Sequence, residues 1–363
     1  MNKFDVIVVG GGLIGMLSAR ELAGQGLSVA VVERNEAGRE SSWAGGGILS
    51  PLYPWRYPDA VNALASWSQQ VYPQLLDTIY IESEIDPEYQ RSGLLVLDTG
   101  EKAEAENWAT KWGVDLQYVE SAKLHQLESR LSTQALAGLW MPEIGQVRNP
   151  RLAQSLKKSI INQGITLFEN SPVEKLLIED HVVHGVQLAA GKLQSNKVVI
   201  AGGAWSAQIL VETGIELPVK PIRGQMILFK AEPGLVSHIV LSQDRYVIPR
   251  QDGRILVGST LEDVGFEKLT TEQARDELYT EALRLVPDLE NYPVEHHWAG
   301  LRPASPDGIP FISDHPSISG LFINTGHYRN GVVLGPASCR LLRNLVMGET
   351  AIVDPHPYAI SLK

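Results

Sequence analysis

The segment that most restricts the fold is the N-terminal run over residues 4–33. Four residues that favour strands, Val6-Ile7-Val8-Val9, lead directly into Gly10, Gly12 and Gly15, spaced as G-x-G-x-x-G. A helical stretch follows over residues 13–24, Gly26 marks the return turn, and a second β run over residues 28–32 ends on Glu33. Strand, glycine turn, helix and strand in that order form a βαβ unit. Each glycine has its own use: Gly10 for the tight turn, Gly12 for approach of the backbone to a pyrophosphate, and Gly15 for close packing of helix on strand. An acid closing the second strand can bond a ribose hydroxyl, so Glu33 completes a site for an adenine dinucleotide.

Three further segments favour FAD over NAD, which share that first unit. After Glu33 and Arg34 the chain enters a Gly- and Ser-rich stretch, residues 39–51, read as a loop. Its Ser41, Ser42, Gly45, Gly46, Gly47 and Ile48 can lie along a pyrophosphate and a flat ring. Ser171-Pro172-Val173-Glu174 can set the backbone of Val173 on adenine, and the strand ending Gly202-Gly203-Ala204-Trp205 stops on small residues that leave room for a cofactor. Leu13 and Ile14, which open the first helix, join Gly202 and Trp205 in the candidate cofactor set.

Composition narrows the partners. A formal charge of -11 argues against binding either nucleic acid or an anionic membrane, and 44% hydrophobic with 20% charged residues is the balance of a soluble globular chain. At 363 residues, two domains are expected. The N-terminus, Met1-Asn2-Lys3-Phe4-Asp5, lacks signal-peptide layout, and no apolar run approaches about 20 residues, so a cytoplasmic location is expected. A single cysteine, Cys339, excludes an internal disulfide and a cysteine-rich metal or iron-sulfur site, and no metal is expected. At eight residues beyond Gly331 on a helix face, a buried apolar role for it is expected.

Periodicity predicts helices over 58–84, 101–112, 150–163, 271–285 and about 332–347. Strands are expected over 93–97, 166–169, 197–201, 225–230, 246–249, 254–258 and 321–324, with a hairpin over 173–188. The turn Thr325-Gly326-His327-Tyr328-Arg329-Asn330-Gly331 precedes the last helix, whose positive end suits the charge that develops on a reduced flavin. His327, Tyr328, Arg329, Asn330 and Gly331 are therefore cradle candidates, and for His327 a structural hydrogen bond is expected rather than proton transfer. A substrate carboxylate needs a planar charged fork and a neutral donor, for which Arg302 and Tyr246 are the candidates.

The stretch 39–57, with 202–206, 245–250, W-A-G-L-R-P at 298–303 and G-H-Y-R-N-G at 326–331, resembles the glycine oxidases of thiamine biosynthesis within the FAD-dependent D-amino-acid oxidase family. The resemblance covers nearly the whole chain. It implies non-covalent FAD and oxidative deamination of a small amino acid to an imine and then glyoxylate, with hydrogen peroxide formed from molecular oxygen. Glycine is the substrate it points to, with sarcosine and small D-amino acids beside it. It also puts the carboxylate ligands on Tyr246, Arg302 and Arg329, though Arg329 lies in the flavin cradle and can serve either group. No acid or base catalyst is required once the amine is neutral. A homotetramer is implied as well. The competing reading is an FAD-dependent dehydrogenase of D-amino acids or proline that passes electrons to a quinone or partner protein.

The expected architecture is α/β with two domains, a Rossmann-like FAD-binding domain and a substrate domain on a largely antiparallel sheet. The first is drawn from residues 1–84, 146–215 and 300–363, the second from 85–145 and 216–299, with substrate between them.

Overall fold

The computed structural model describes residues 3–360. Met1 and Asn2 of the N-terminal reading, and residues 361–363 of the last expected segment, lie outside it. The βαβ unit is formed by β1 (Val6–Val9), α1 (Leu13–Ala23) and β2 (Val29–Val32), with Gly26 at φ 81 in the return turn. Within the stretch read as a continuous loop, Ser41–Ala44 winds into a short helix, α2. The long helix α3 (Asp59–Ser83) follows, then β3 (Leu94–Val96), α4 (Lys102–Trp112), β4 (Gln117–Glu120), α5 (Ser121–Leu127) and β5 (Ala137–Met141).

The chain returns through α6 (Asn149–Asn162), β6 (Thr166–Phe168), the hairpin β7 (Val173–Glu179) and β8 (Val182–Leu188), an added strand β9 (Gly191–Gln194), β10 (Val198–Ile200) and α7 (Ser206–Leu210). It then builds β11 (Lys220–Phe229), β12 (Ile239–Ser242), β13 (Arg245–Pro249), β14 (Ile255–Gly258), α8 (Glu272–Leu285) and β15 (Val294–Ala304). The last elements are β16 (Phe311–Asp314), β17 (Leu321–Thr325) and α9 (Gly331–Met347).

Two sheets dominate. The first runs β16-β17-β10-β1-β2-β6 and is parallel except for edge strand β16. Alternation along its strands feeds two cores: Val6, Val8, Val29 and Val31 face α1, α3, α6 and α9, while Ile7, Val9, Ala30 and Val32 face the three-stranded sheet β7-β8-β9. The second sheet, β15-β11-β14-β13-β12-β3-β5-β4, is antiparallel apart from the β3–β12 pair. One of its faces packs on α8 through Leu278, Ala282 and Leu285. The other carries Met226, Tyr246 and Ile248 against Ile48 and Leu52 of the glycine-rich segment. The result is a mixed α/β fold of two domains.

Two differences from the sequence reading have tertiary causes. β11 begins at Lys220, well before the expected 225, although Lys220, Pro221, Arg223 and Gly224 are poor strand formers. Pairing with β15 over its full length supplies what propensity lacks. β15 itself contains the W-A-G-L-R-P motif, so the expected domain division at residue 300 falls inside a strand of the second sheet.

Candidate active site

Between the two sheets runs a cleft of about 440 Å³. Gly10, Gly12, Leu13, Ile14, Glu33, Arg34, Ser41, Ser42, Gly45, Gly46, Gly47, Ile48, Val173, Gly202, Trp205, His327, Tyr328, Arg329 and Gly331 all line it, and so do Tyr246 and Arg302. Gly15 and Asn330 are absent from that wall. Gly15 lies beneath it, where a Cβ would fall 1.8 Å from the carbonyl oxygen of Gly10, so its use is the helix–strand approach. Asn330 occupies the cap position of α9, buried, and its Nδ2 has no hydrogen-bond partner among the described residues.

At the nucleotide end, Gly10 adopts φ 115, and a Cβ there would sit 2.4 Å from the carbonyl oxygen of Ala201. Glu33 accepts from the amides of Gly11 (2.8 Å) and Asn35 (3.0 Å), which aims its carboxylate at the end of β2. The hydroxyl of Ser42 accepts from the Leu13 amide at 2.8 Å, so it also ties the glycine-rich segment to the start of α1. Arg34 stacks 3.6 Å above the Trp205 ring, closing one wall.

Residues distant in sequence hold the triple-glycine segment in place. Buried Arg250 donates to the carbonyls of Gly46 (2.8 Å) and Val147 (3.0 Å) and to Oε1 of Gln146 (2.8 Å). Burial, with the nearby charge of Arg148, pulls its pKa down to about 10. Asn149 Nδ2 donates to the Ser42 carbonyl at 2.9 Å, and Trp298 Nε1 to the Ala44 carbonyl at 3.1 Å. Arg250 lay inside a motif noted from sequence, but nothing local indicates what its guanidinium reaches.

At the far end, β13 places Tyr246 and β15 places Arg302 on the cleft face of the second sheet. Arg302 donates to the carbonyl of Thr260 (3.1 Å) and the hydroxyl of Ser259 (2.7 Å). Its guanidinium lies across Gly224 of β11, where a Cβ would come within 1.8 Å of Nη1. Burial and the charge of Arg329 lower the Arg302 pKa from its ordinary value, while Tyr246 raises it. The Tyr246 hydroxyl donates to the weak acceptor Met226 Sδ, at 3.8 Å. Gly224, Met226 and Ser259 escaped the sequence reading because strand register alone brings them here.

β15 also meets the cradle turn directly, since the Tyr328 amide donates to the Pro303 carbonyl at 2.8 Å. His327 differs from expectation: its buried Nε2 has no hydrogen-bond partner among the described residues. Burial holds this imidazole at about 3, neutral at physiological pH. Cys339 is buried in the apolar core beside α1 and α9, as expected, and its sulfur also meets two polar groups. Its Sγ accepts from Ser18 (3.3 Å) and Asn324 (3.7 Å), and burial pushes the thiol up to about 12.

These residues fit a flavin dinucleotide. The walls at Gly10 and Gly12 carry no side chain, and the unpartnered His327 Nε2 and Arg329 Nη2 are buried polar atoms on residues of the opposite wall. A family model described as FAD dependent oxidoreductase matches residues 5–345. The chain belongs to the FAD-dependent oxidoreductase family. It is 48% identical over 355 residues to a glycine oxidase of Pseudomonas aeruginosa, covering 98% of each chain. It is 31% identical over 357 residues to a bifunctional ThiO/ThiG protein of Trichormus variabilis, covering 97% of this chain and 53% of that one. Among solved structures, that of the glycine oxidase from Geobacillus kaustophilus superposes with a TM-score of 0.93 at 29% identity, covering 99% of each chain. As a member of this family of FAD-dependent oxidoreductases, the chain uses FAD, and no helix among its described residues is long and apolar enough to cross a membrane.

Proposed function

We propose that this chain catalyses FAD-dependent oxidative deamination of glycine to the imine and glyoxylate, with reduction of oxygen to hydrogen peroxide, and that the imine supplies thiazole formation in thiamine synthesis. The observation that carries this reading is one cleft continuous from the Gly10–Gly12 turn to the Arg302 guanidinium and Tyr246 hydroxyl. A charged planar fork beside a neutral donor suits one carboxylate. The glycine oxidase relatives favour an oxidase over a dehydrogenase that delivers electrons to a quinone.

When bound, FAD supplies the two-electron acceptor. In this reading Arg302 and Tyr246 fix the carboxylate and thereby aim the α-carbon. The buried positive charge of Arg302 disfavours the ammonium form of the substrate, so the amine is held with its lone pair free. His327, held neutral by burial, adds no charge of its own, and no side chain needs to act as a base. The glycine-rich segment, held by Arg250 and Trp298, walls the reacting end from bulk water.

Purified protein should release peroxide in air with glycine ahead of sarcosine, D-alanine and D-proline. Flavin bleaching by these amines without oxygen, but no peroxide in air, would favour the dehydrogenase.

A further inference from the structure

Two guanidinium groups serve the substrate end of the cleft, and they are neutralised unequally. Among the described residues Arg302 donates to uncharged oxygens, those of Thr260 and Ser259, and pairs with no carboxylate. Arg329, with a side chain 10% exposed, sets Nη1 3.2 Å from Oδ1 of Asp244, while its buried Nη2 has no partner among the described residues. Asp244 stands behind Arg329 in the turn that joins β12 to β13, where Gln243 and Asp244 both adopt positive φ. That turn is anchored: the Gln243 amide donates to Asp98 Oδ2 at 2.7 Å, and the Asp244 amide donates to the Tyr53 hydroxyl at 3.3 Å. The Asp244 side chain is nevertheless 44% exposed, so it is a positioned counter-ion that water can reach.

We infer that Asp244 sets the charge specificity of the site. By pairing with Arg329 it leaves one uncompensated positive charge facing the substrate, that of Arg302, and so selects amines with a single carboxylate. A second carboxylate near Arg329 meets a guanidinium whose charge Asp244 already compensates, with that anion held beside it, and like charges so placed disfavour binding. Without the Asp244 charge, Arg329 accepts the second carboxylate of an N-carboxymethyl amino acid such as iminodiacetate. The chemistry is unchanged. The carbon beside nitrogen gives up two electrons, which pass through flavin to oxygen as peroxide, and one water cleaves the imine to glyoxylate and glycine. The inference rests on the amine-oxidase reading for its kinetic test only.

The test compares FAD-loaded wild type, Asp244→Asn and Asp244→Glu, with sarcosine and iminodiacetate as secondary amines bearing one and two carboxylates. The ratio of kcat/KM for iminodiacetate to that for sarcosine should rise about tenfold or more in Asp244→Asn and return toward wild type in Asp244→Glu. An unchanged ratio in Asp244→Asn overturns the inference. Binding of methoxyacetate and oxydiacetate, followed by the flavin absorbance change, gives an independent readout. The affinity ratio for these ether analogues should shift in the same direction, and a constant ratio overturns the inference as well. Should wild type oxidise no amine, the functional reading fails, while the binding pair still decides the role of Asp244.

Discussion

Gly224→Ala tests the carboxylate clamp without touching a residue that contacts substrate. A Cβ at position 224 would lie 1.8, 2.2 and 2.3 Å from Nη1, Nη2 and Cζ of Arg302. Restoring an ordinary separation of about 3.4 Å moves the guanidinium by roughly 1.6 Å. The obstructing atoms are the far end of a flexible side chain, so the strand pair survives and the change falls on the fork. A displacement of about 1 Å in a positioning group can cost roughly 100-fold, and a hydrogen bond to a charged group contributes about 1.5–3 kcal/mol, equivalent to roughly 10- to 150-fold. Glycine kcat/KM should therefore fall by about 10- to 150-fold, mostly through KM, while the protein stays yellow. Steady-state peroxide assays on wild type, Gly224→Ala, Arg302→Met and the double variant complete a mutant cycle. If the alanine acts through Arg302, it adds little to Arg302→Met. Unaltered glycine kinetics, or penalties that simply add, would refute the reasoning.

Three further outcomes follow from the same geometry. Gly12→Val puts a branched side chain at the cofactor approach and should yield colourless protein; retention of flavin absorbance after purification contradicts this. Arg250→Met removes three hydrogen bonds at a buried site and leaves the carbonyls of Gly46 and Val147 without it, costing about 2–4 kcal/mol. A lower Tm and weaker FAD retention are expected, and a wild-type Tm counts against the role given to Arg250. His327 stays neutral in the folded chain down to about 3, against an ordinary value of 6.5. Between those values the unfolded chain binds the extra proton, so this group makes stability fall as pH falls, by at most about 1.4 kcal/mol per pH unit. His327→Gln should lose less stability than wild type between about pH 7 and pH 4 in thermal denaturation, and parallel profiles would exclude that contribution.

The sequence by itself determined the βαβ unit and its dinucleotide turn, because strand, Gly10–Gly15, helix and Glu33 are contiguous and their periodicities are local. It also marked Tyr246, Arg302 and the 326–331 turn, through motifs whose likeness to a known family carried more than residue chemistry did. Only the tertiary structure decided what those groups touch. Gly224 lies beneath Arg302 because β11 and β15 pair in one register, and a slip of one residue would turn the guanidinium to the opposite face. Arg250 reaches Gly46 across about two hundred residues of chain, and Asp244 meets Arg329 only when the β12–β13 turn folds against the cradle. Such contacts depend on long-range strand pairing, for which a short window of sequence carries no signal. The dinucleotide site was thus legible in the N-terminal residues, whereas the charge balance at the substrate end belongs to the fold.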